Sequence, residues 1–393
     1  MDINRIRSET PGCASKVHLN NAGASLMTAA VMQTVKDYID LEGSMGGYEA
    51  QAASQQAIQS AYQSIATLLN TKSRNIAFTE NATAAFAQAL SAIPFSKGDV
   101  ILTTRNDYSS NQIQFLSLKK RYGVEVLRAP DVAGGGVDVA AMADLIREQK
   151  PKLVCVTQVP TNSGLIQDVA TIGAVCQEAG ALYLVDACQS VGQLPIDVVE
   201  FGCDFLSATS RKFLRGPRGC GFLYVSDRVL EEGYEPLFID MHGANWASAN
   251  DYEAFDTAVR FENWEFNWGL VLGTAAAADY ATNIGLSHIA DRVKLLTDKL
   301  RSSLDGISAV KVLHHGDHLC GIVTCAIDGF DPAQIVATLR AQNINTSSQG
   351  RVYAVLDYDD LGVDSSLRIS PHYYNTDEEI EQVVSALREI TRP

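Results

Sequence analysis

The stretch SATSRKFLRGPRGCGFLYV (207–225) sets a single lysine, Lys212, between small polar residues and a glycine-rich turn that leads into an apolar run. Most lysines are solvated charges. A lysine at the mouth of a buried sheet is different: burial, or neighbouring cations such as Arg211 and Arg215, lowers its pKa toward the neutral, nucleophilic amine. Whether Lys212 lies in such a place depends on the rest of the chain building that sheet.

The apolar runs NIAF (75–78), DVILT (99–103), VEVLRA (124–129), KLVCVT (152–157), ALYLVD (181–186), DFLSA (204–208) and GFLYV (221–225) have the length and residue types of strands. Between and before them lie helical stripes, such as Val31, Val35, Tyr38 and Ile39, or Ile58, Tyr62, Ile65 and Leu69. Continuous apolar runs alternating with helices predict an α/β fold with a mostly parallel sheet covered on both faces. From about residue 285 the order changes to helix, VKVLH, GIVTCAI, helix, SSLRIS and a closing helix, an α+β pattern. The expected division is a large domain over residues 15–284 and a smaller C-terminal domain that also takes in residues 1–14.

Ligands of open α/β sheets bind beyond the carboxyl ends of the strands. Those ends carry Thr79 to Thr83, Arg105 to Tyr108, Gln158 to Asn162, Asp186 to Gln189 and Thr209 to Lys212. Together they offer hydroxyls, an aromatic ring, amides, a carboxylate and an amine. A lysine that reacts with pyridoxal 5'-phosphate needs an acid to keep the pyridine nitrogen protonated and donors for the phosphate. Asp186 suits the first task. The helix opening at Ala82 and Thr83 suits the second, through its free backbone amides and the Thr83 hydroxyl.

With these residues in place the chain resembles the class V, fold-type I pyridoxal phosphate enzymes, among them cysteine desulfurases, carbon–sulfur lyases and isopenicillin-N-epimerase-like proteins. The resemblance runs from HLNNAGAS (18–25) to LRISPHYYNTDEEI (367–380). Its most specific piece is VDACQSVGQLPID (185–197), followed by Asp204 and, eight residues on, Lys212.

The resemblance implies pyridoxal 5'-phosphate as cofactor, Lys212 as the Schiff-base lysine and Asp186 as partner of the ring nitrogen. Gln189 and Asn162 fall beside the ring oxygen. Tyr108 stands where the family often stacks a histidine on the ring, and Ala82, Thr83, Thr209 and Arg211 stand around the phosphate. Arg368 matches the arginine that clamps the substrate carboxylate, a task suited to a guanidinium fork, and Asn21 is a further substrate contact. The family builds its site at a homodimer interface, so a homodimer is expected. The glycine-rich EGSMGGYEA (42–50) is then read as a flexible segment reaching the neighbouring pocket. Glu265, in RFENWEFNWG (260–269), stands near the place where a neighbouring subunit commonly offers the phosphate a hydroxyl, and a carboxylate there repels phosphate. Trp246, Trp264 and Trp268 are read as core or interface aromatics, and the local density of Trp, Phe and Asn suggests a pocket wall or dimer contact.

Desulfurases carry a sulfur-accepting cysteine in the loop before the arginine segment, and residues 345–367 contain none. The expected reaction is therefore β-elimination of a sulfur leaving group from a cysteine-derived amino acid. Transamination and epimerisation begin from the same α-deprotonation and are the alternatives.

Composition narrows the partners. The 393 residues carry a formal net charge of -15 with no basic stripe, which disfavours nucleic acid and anionic lipid. The N-terminal residues MDINRIRSETPGCASKVHLN lack the apolar core of a signal peptide, and no run of 18 apolar residues occurs, so a cytoplasmic protein is expected. The eight cysteines include no CxxC pair and read as reduced thiols. The run His314-His315-Gly316-Asp317-His318 has no second ligand group spaced like a zinc site, so it reads as a solvated turn and no metal is expected.

Overall fold

A computed structural model of the chain describes residues 1–315 and 318–392. The apolar runs become β1 (Ile76–Thr79), β2 (Val100–Thr104), β3 (Glu125–Ala129), β4 (Leu153–Thr157), β5 (Leu182–Asp186), β6 (Phe205–Thr209) and β7 (Gly221–Val225). They form one sheet in the order β1-β7-β6-β5-β4-β2-β3. Strands β2 to β6 pair in parallel, and β7 runs antiparallel between β6 and β1. Parallel neighbours require a crossover. Helix α1 (Ala82–Ser91) leads from β1 to β2, the crossovers among the parallel strands are α2 (Ser109–Tyr122), α3 (Val139–Gln149), α4 (Val169–Ala179) and the short helix Val198–Phe201, and β6 reaches β7 through the turn that holds Lys212.

Successive strand residues point to opposite faces, and both faces are apolar. In β4, Leu153 and Cys155 join Phe86 of α1 and Phe115 of α2 in one core, while Val154 and Val156 join Met142 of α3 and Ile172 of α4 in the other. That double burial is why the strands read as unbroken apolar runs. The register aligns the strand ends: Thr157 lies opposite Asp186, Asp186 opposite Ser207, and Gly221 opposite both Thr79 and Thr209. The carboxyl ends of β1, β2, β4, β5 and β6 thus share one edge.

The C-terminal part forms a second, antiparallel sheet of β8 (Val310–Val312), β9 (Val323–Ile327), β10 (Ser347–Gly350) and β11 (Ser365–Ile369), in the order β8-β9-β11-β10. Helices Leu286–Asp305 and Asp377–Ile390 cover it, with Leu296, Leu300, Ile380 and Val383 against Val323 and Leu367. The N-terminus differs from the expected division. Val17–His18 pairs in parallel with Ile344–Asn345 and draws Leu19 into the smaller core, while Ile6 packs in the larger one.

Segment 42–50 also differs from expectation. It is helical on both sides of Gly46, within Ala29–Met45 and Gly47–Ala53, and Ala50 is buried. Among the described residues no helix is long and apolar enough to cross a membrane.

Candidate active site

The start of α1 is built from its cap. Asn81 accepts the Ala84 N–H at 3.0 Å, and the N–H groups of Ala82 and Thr83 are among those that a helix leaves without an internal partner. Gly221 brings β7 up to this helix end: a Cβ there would fall 2.7 Å from Ala208 O and 2.8 Å from Ala82 N. Thr209 and Arg211 line a cavity of about 190 Å³ together with Asn81, Ala82 and Thr83.

Asp186, Asn111, Tyr108, Cys188 and Lys212 complete that cavity. The Asp186 carboxylate is buried and fixed by two donors, the Cys188 N–H to Oδ1 at 2.9 Å and Asn111 Nδ2 to Oδ2 at 3.0 Å. Tyr108 caps α2, and the Lys212 ammonium lies 5.8 Å from the centre of its ring. Burial pushes the Lys212 pKa below the ordinary lysine value. Cys188 and Asp186 oppose that shift, and Arg211 and Arg368 add to it. Gly192 explains why the VDACQSVG and Lys212 motifs belong together: its φ is +90°, and a Cβ there would lie 2.3 Å from Leu214 N, so the two turns touch backbone to backbone.

Gln189, Arg368 and Asn162 lie outside the cavity wall in a buried polar group. Thr161 joins the first two, its hydroxyl accepting from Gln189 Nε2 at 2.9 Å and from Arg368 Nη1 at 2.6 Å. Arg368 Nε also donates to Ser347 Oγ at 3.2 Å. Burial brings the Arg368 pKa down to about 10, which leaves it cationic at neutral pH. Asn162 turns the other way and donates to Asp357 at 2.6 Å. Asn21 is not brought to the cavity. It is fully buried, and its amide donates to the carbonyls of Ser370 and His18 and accepts from the Tyr374 hydroxyl, which ties the N-terminal segment to the exit of β11.

Two other expectations are revised or limited. His314 is buried against Asp357 and Thr324, so it is no solvated turn residue, and Gly316 and Asp317 of that run lie outside the described residues. Trp268 is buried, whereas Trp246 and Trp264 are exposed, as is Glu265. Asn111, Cys188 and Thr161 were not anticipated as site residues. The available signal for Asn111 was its place four residues after Asp107, one helical turn along α2.

The model of the family Aminotransferase class-V matches residues 17–383. The chain belongs to that family, whose members are pyridoxal 5'-phosphate enzymes. It is 29% identical to a "probable cysteine desulfurase" of Methanothermobacter thermautotrophicus, over 98% of this chain and 97% of that one. It is 27% identical to a "probable hercynylcysteine sulfoxide lyase" of Mycobacterium tuberculosis, over 98% and 92%. The fold is similar to that of the apo cysteine desulfurase of Thermococcus onnurineus, with a TM-score of 0.92 at 24% identity over 99% and 98% of the two chains.

The donor set fits the cofactor. A helix end with free amides, a hydroxyl and a guanidinium suits a phosphate. A carboxylate held by two donors suits a protonated pyridine, and an aromatic ring and a lysine whose pKa burial lowers line the same cavity.

Proposed function

We propose that the protein eliminates a sulfur leaving group from the β-carbon of a cysteine-derived amino acid and releases the sulfur as a free small molecule. The observation that carries this reading is the state of the thiols. No cysteine stands in residues 345–367. The one thiol lining the cavity among the described residues, that of Cys188, is held well above the ordinary cysteine pKa, chiefly by burial and then by Asp186. A persulfide carrier must attack as thiolate, and a protonated Cys188 does not. The desulfurase and sulfoxide lyase names of the relatives support the substrate class.

Ala82, Thr83, Thr209 and Arg211 would hold the cofactor phosphate, Asp186 the ring nitrogen and Tyr108 the ring face. When bound, pyridoxal 5'-phosphate supplies an aldehyde for the substrate amine and an electron-poor ring that acidifies the α-proton. Lys212, whose pKa burial lowers, takes that proton at Nζ. Arg368, oriented by Thr161 and Ser347, binds the substrate carboxylate through its guanidinium. Asp186 holds a proton at the facing nitrogen, which keeps the ring electron-poor.

The homodimer belongs to the same reading. Phe238 and Trp246 are each 82% exposed, and Leu237 and Met241 lie close by in sequence and are also exposed. Monomeric proteins rarely leave such apolar surface to solvent, and sedimentation as a monomer would remove the dimer from the proposal.

The deciding experiment offers the purified holoenzyme cysteine S-conjugates and their sulfoxides and measures ketoacid, ammonia and released sulfur compound. Equimolar ketoacid and sulfur product, abolished in Lys212→Ala, is the expected result. Amino-group transfer to a ketoacid, or inversion of the substrate without sulfur release, would overturn the elimination.

A further inference from the structure

The amide of Asn111 stands between two carboxylates. Its Nδ2 donates to Asp186 Oδ2 at 3.0 Å and to Asp107 Oδ1 at 2.9 Å, so both N–H bonds are engaged. Asp107 does not line the cavity. It is buried at the end of the β2 turn, and its other donors are the hydroxyls of Thr103 and Thr157 and the backbone N–H of Tyr108 at 2.7 Å. All of these donors are neutral. Among the described residues no cation lies against this buried carboxyl; burial raises its pKa, and the hydrogen bonds from Thr103, Thr157 and Asn111 oppose that shift.

An asparagine side chain can turn either its oxygen or its nitrogen to a neighbour. With a carboxylate on each side, only the nitrogen is acceptable in that position. Asp107 therefore decides which end of Asn111 meets Asp186. Through its bond to the Tyr108 N–H it also fixes the backbone of the residue whose ring faces Lys212.

We infer that Asn111 and Asp107 are positioning residues that keep the Asp186 carboxylate aimed at the ring nitrogen of the cofactor. The inference rests on the reading of Asp186 as the partner of that nitrogen. Asn111 fixes one oxygen of Asp186 while the Cys188 N–H fixes the other, so the carboxylate cannot rotate away from the cavity. Asn111 lines the cavity with both amide hydrogens already engaged, and Asp107 stands behind it.

The test compares the affinity of the apo-protein for pyridoxal 5'-phosphate with its affinity for the deaza analogue, in which carbon replaces the ring nitrogen, by fluorescence titration. The wild type binds the natural cofactor more tightly. Asn111→Leu is expected to narrow that preference about tenfold, the effect of losing one hydrogen bond to a charged group. Asp107→Asn, which keeps the shape but lets an amide nitrogen face Asn111 in place of a carboxyl oxygen, narrows it in the same direction. A preference unchanged in both variants while thermal stability falls would reduce the two residues to fold stabilisers and overturn the inference. Should Asn111→Leu fail to fold, the near-isosteric Asp107→Asn still decides. A wild-type protein that binds neither compound, or both equally, would overturn the reading of Asp186 instead.

Discussion

The guanidinium of Arg215 donates through Nη1 to the hydroxyl of Tyr373 at 2.7 Å, so the loop of Lys212 is fastened to the segment that follows Arg368. Arg215 is 2% exposed. Its Nε donates to Leu26 O at 2.9 Å, its Nη2 to Thr10 Oγ1 at 2.6 Å, and its own backbone N–H to Lys212 O at 2.9 Å. The cation lies 4.6 Å from the ring centre of Tyr374 and 5.7 Å from that of Tyr280. Hydroxyls, a carbonyl and aromatic faces thus solvate a buried charge that has no carboxylate in contact. They come from the N-terminus, from helix Trp268–Ile284 and from the residues after β11.

Replacing Arg215 by alanine empties that volume and leaves three buried acceptors without a donor, at a cost of about 3–5 kcal/mol. The expected outcome is a clearly lower urea midpoint for apo-Arg215→Ala, with Arg215→Lys between it and wild type because an ammonium cannot reach all three acceptors. A midpoint within error of wild type would show that these contacts are not holding the segments together.

Cysteine accessibility gives a second prediction. All eight cysteines are free, and only Cys13 and Cys188 retain appreciable exposure. Cys188 lines the cavity with a thiol whose pKa burial has raised. Alkylation of Cys188 in the apo-protein should be slow at neutral pH, accelerate as pH rises, and be suppressed by pyridoxal 5'-phosphate. Peptide mapping after iodoacetamide treatment checks it; equal labelling with and without cofactor would place the cofactor elsewhere.

Thr161 carries a third. Its hydroxyl accepts from both Arg368 and Gln189, so Thr161→Val leaves two buried donors short of a partner and frees the Arg368 side chain to shift. The expected effect is a KM for the amino acid raised about tenfold, equivalent to one lost charged hydrogen bond, with a smaller change in kcat. Steady-state kinetics separate the two, and a fall in kcat alone would move Thr161 out of substrate binding.

The large sheet was legible because every strand but the outer β3 is buried on both faces, which leaves a continuous apolar run in the sequence. The site residues at strand ends were legible for a related reason: register, once the strands are known, fixes which ends coincide. What the sequence concealed depends on tertiary contact. Strand Ser347–Gly350 is polar and short, and it exists through its pairing with β11. Asn21 sits in a motif of the family, yet Ser370 and Tyr374 capture its amide from more than 340 residues away. Ile39 lies at the margin of its helical stripe and ends 51% exposed. Asn111 has a local partner in Asp107, but its bond to Asp186, like those of Thr161 to Gln189 and Arg368, depends on segments distant in the sequence.

The pair His242 and Glu262 makes stability depend on pH. Glu262 is fully buried in its side chain and accepts from the Tyr62 hydroxyl, from Phe78 N–H and from His242 Nε2 at 3.1 Å. The hydrogen bond to Glu262 raises the His242 pKa above its ordinary value, and burial raises that of Glu262. Both shifts have the same sign. A group whose pKa is higher in the folded protein contributes stability that is present in full below its unfolded pKa and is lost as pH rises through the folded one. For His242 that window begins near pH 6.5, the usual histidine value. His242→Gln should therefore be less stable than wild type at pH 6, with the gap closing toward pH 8.5. Thermal midpoints of the two proteins across that range measure the gap, and a difference that stays constant with pH would mean that His242 is held as the neutral ring throughout.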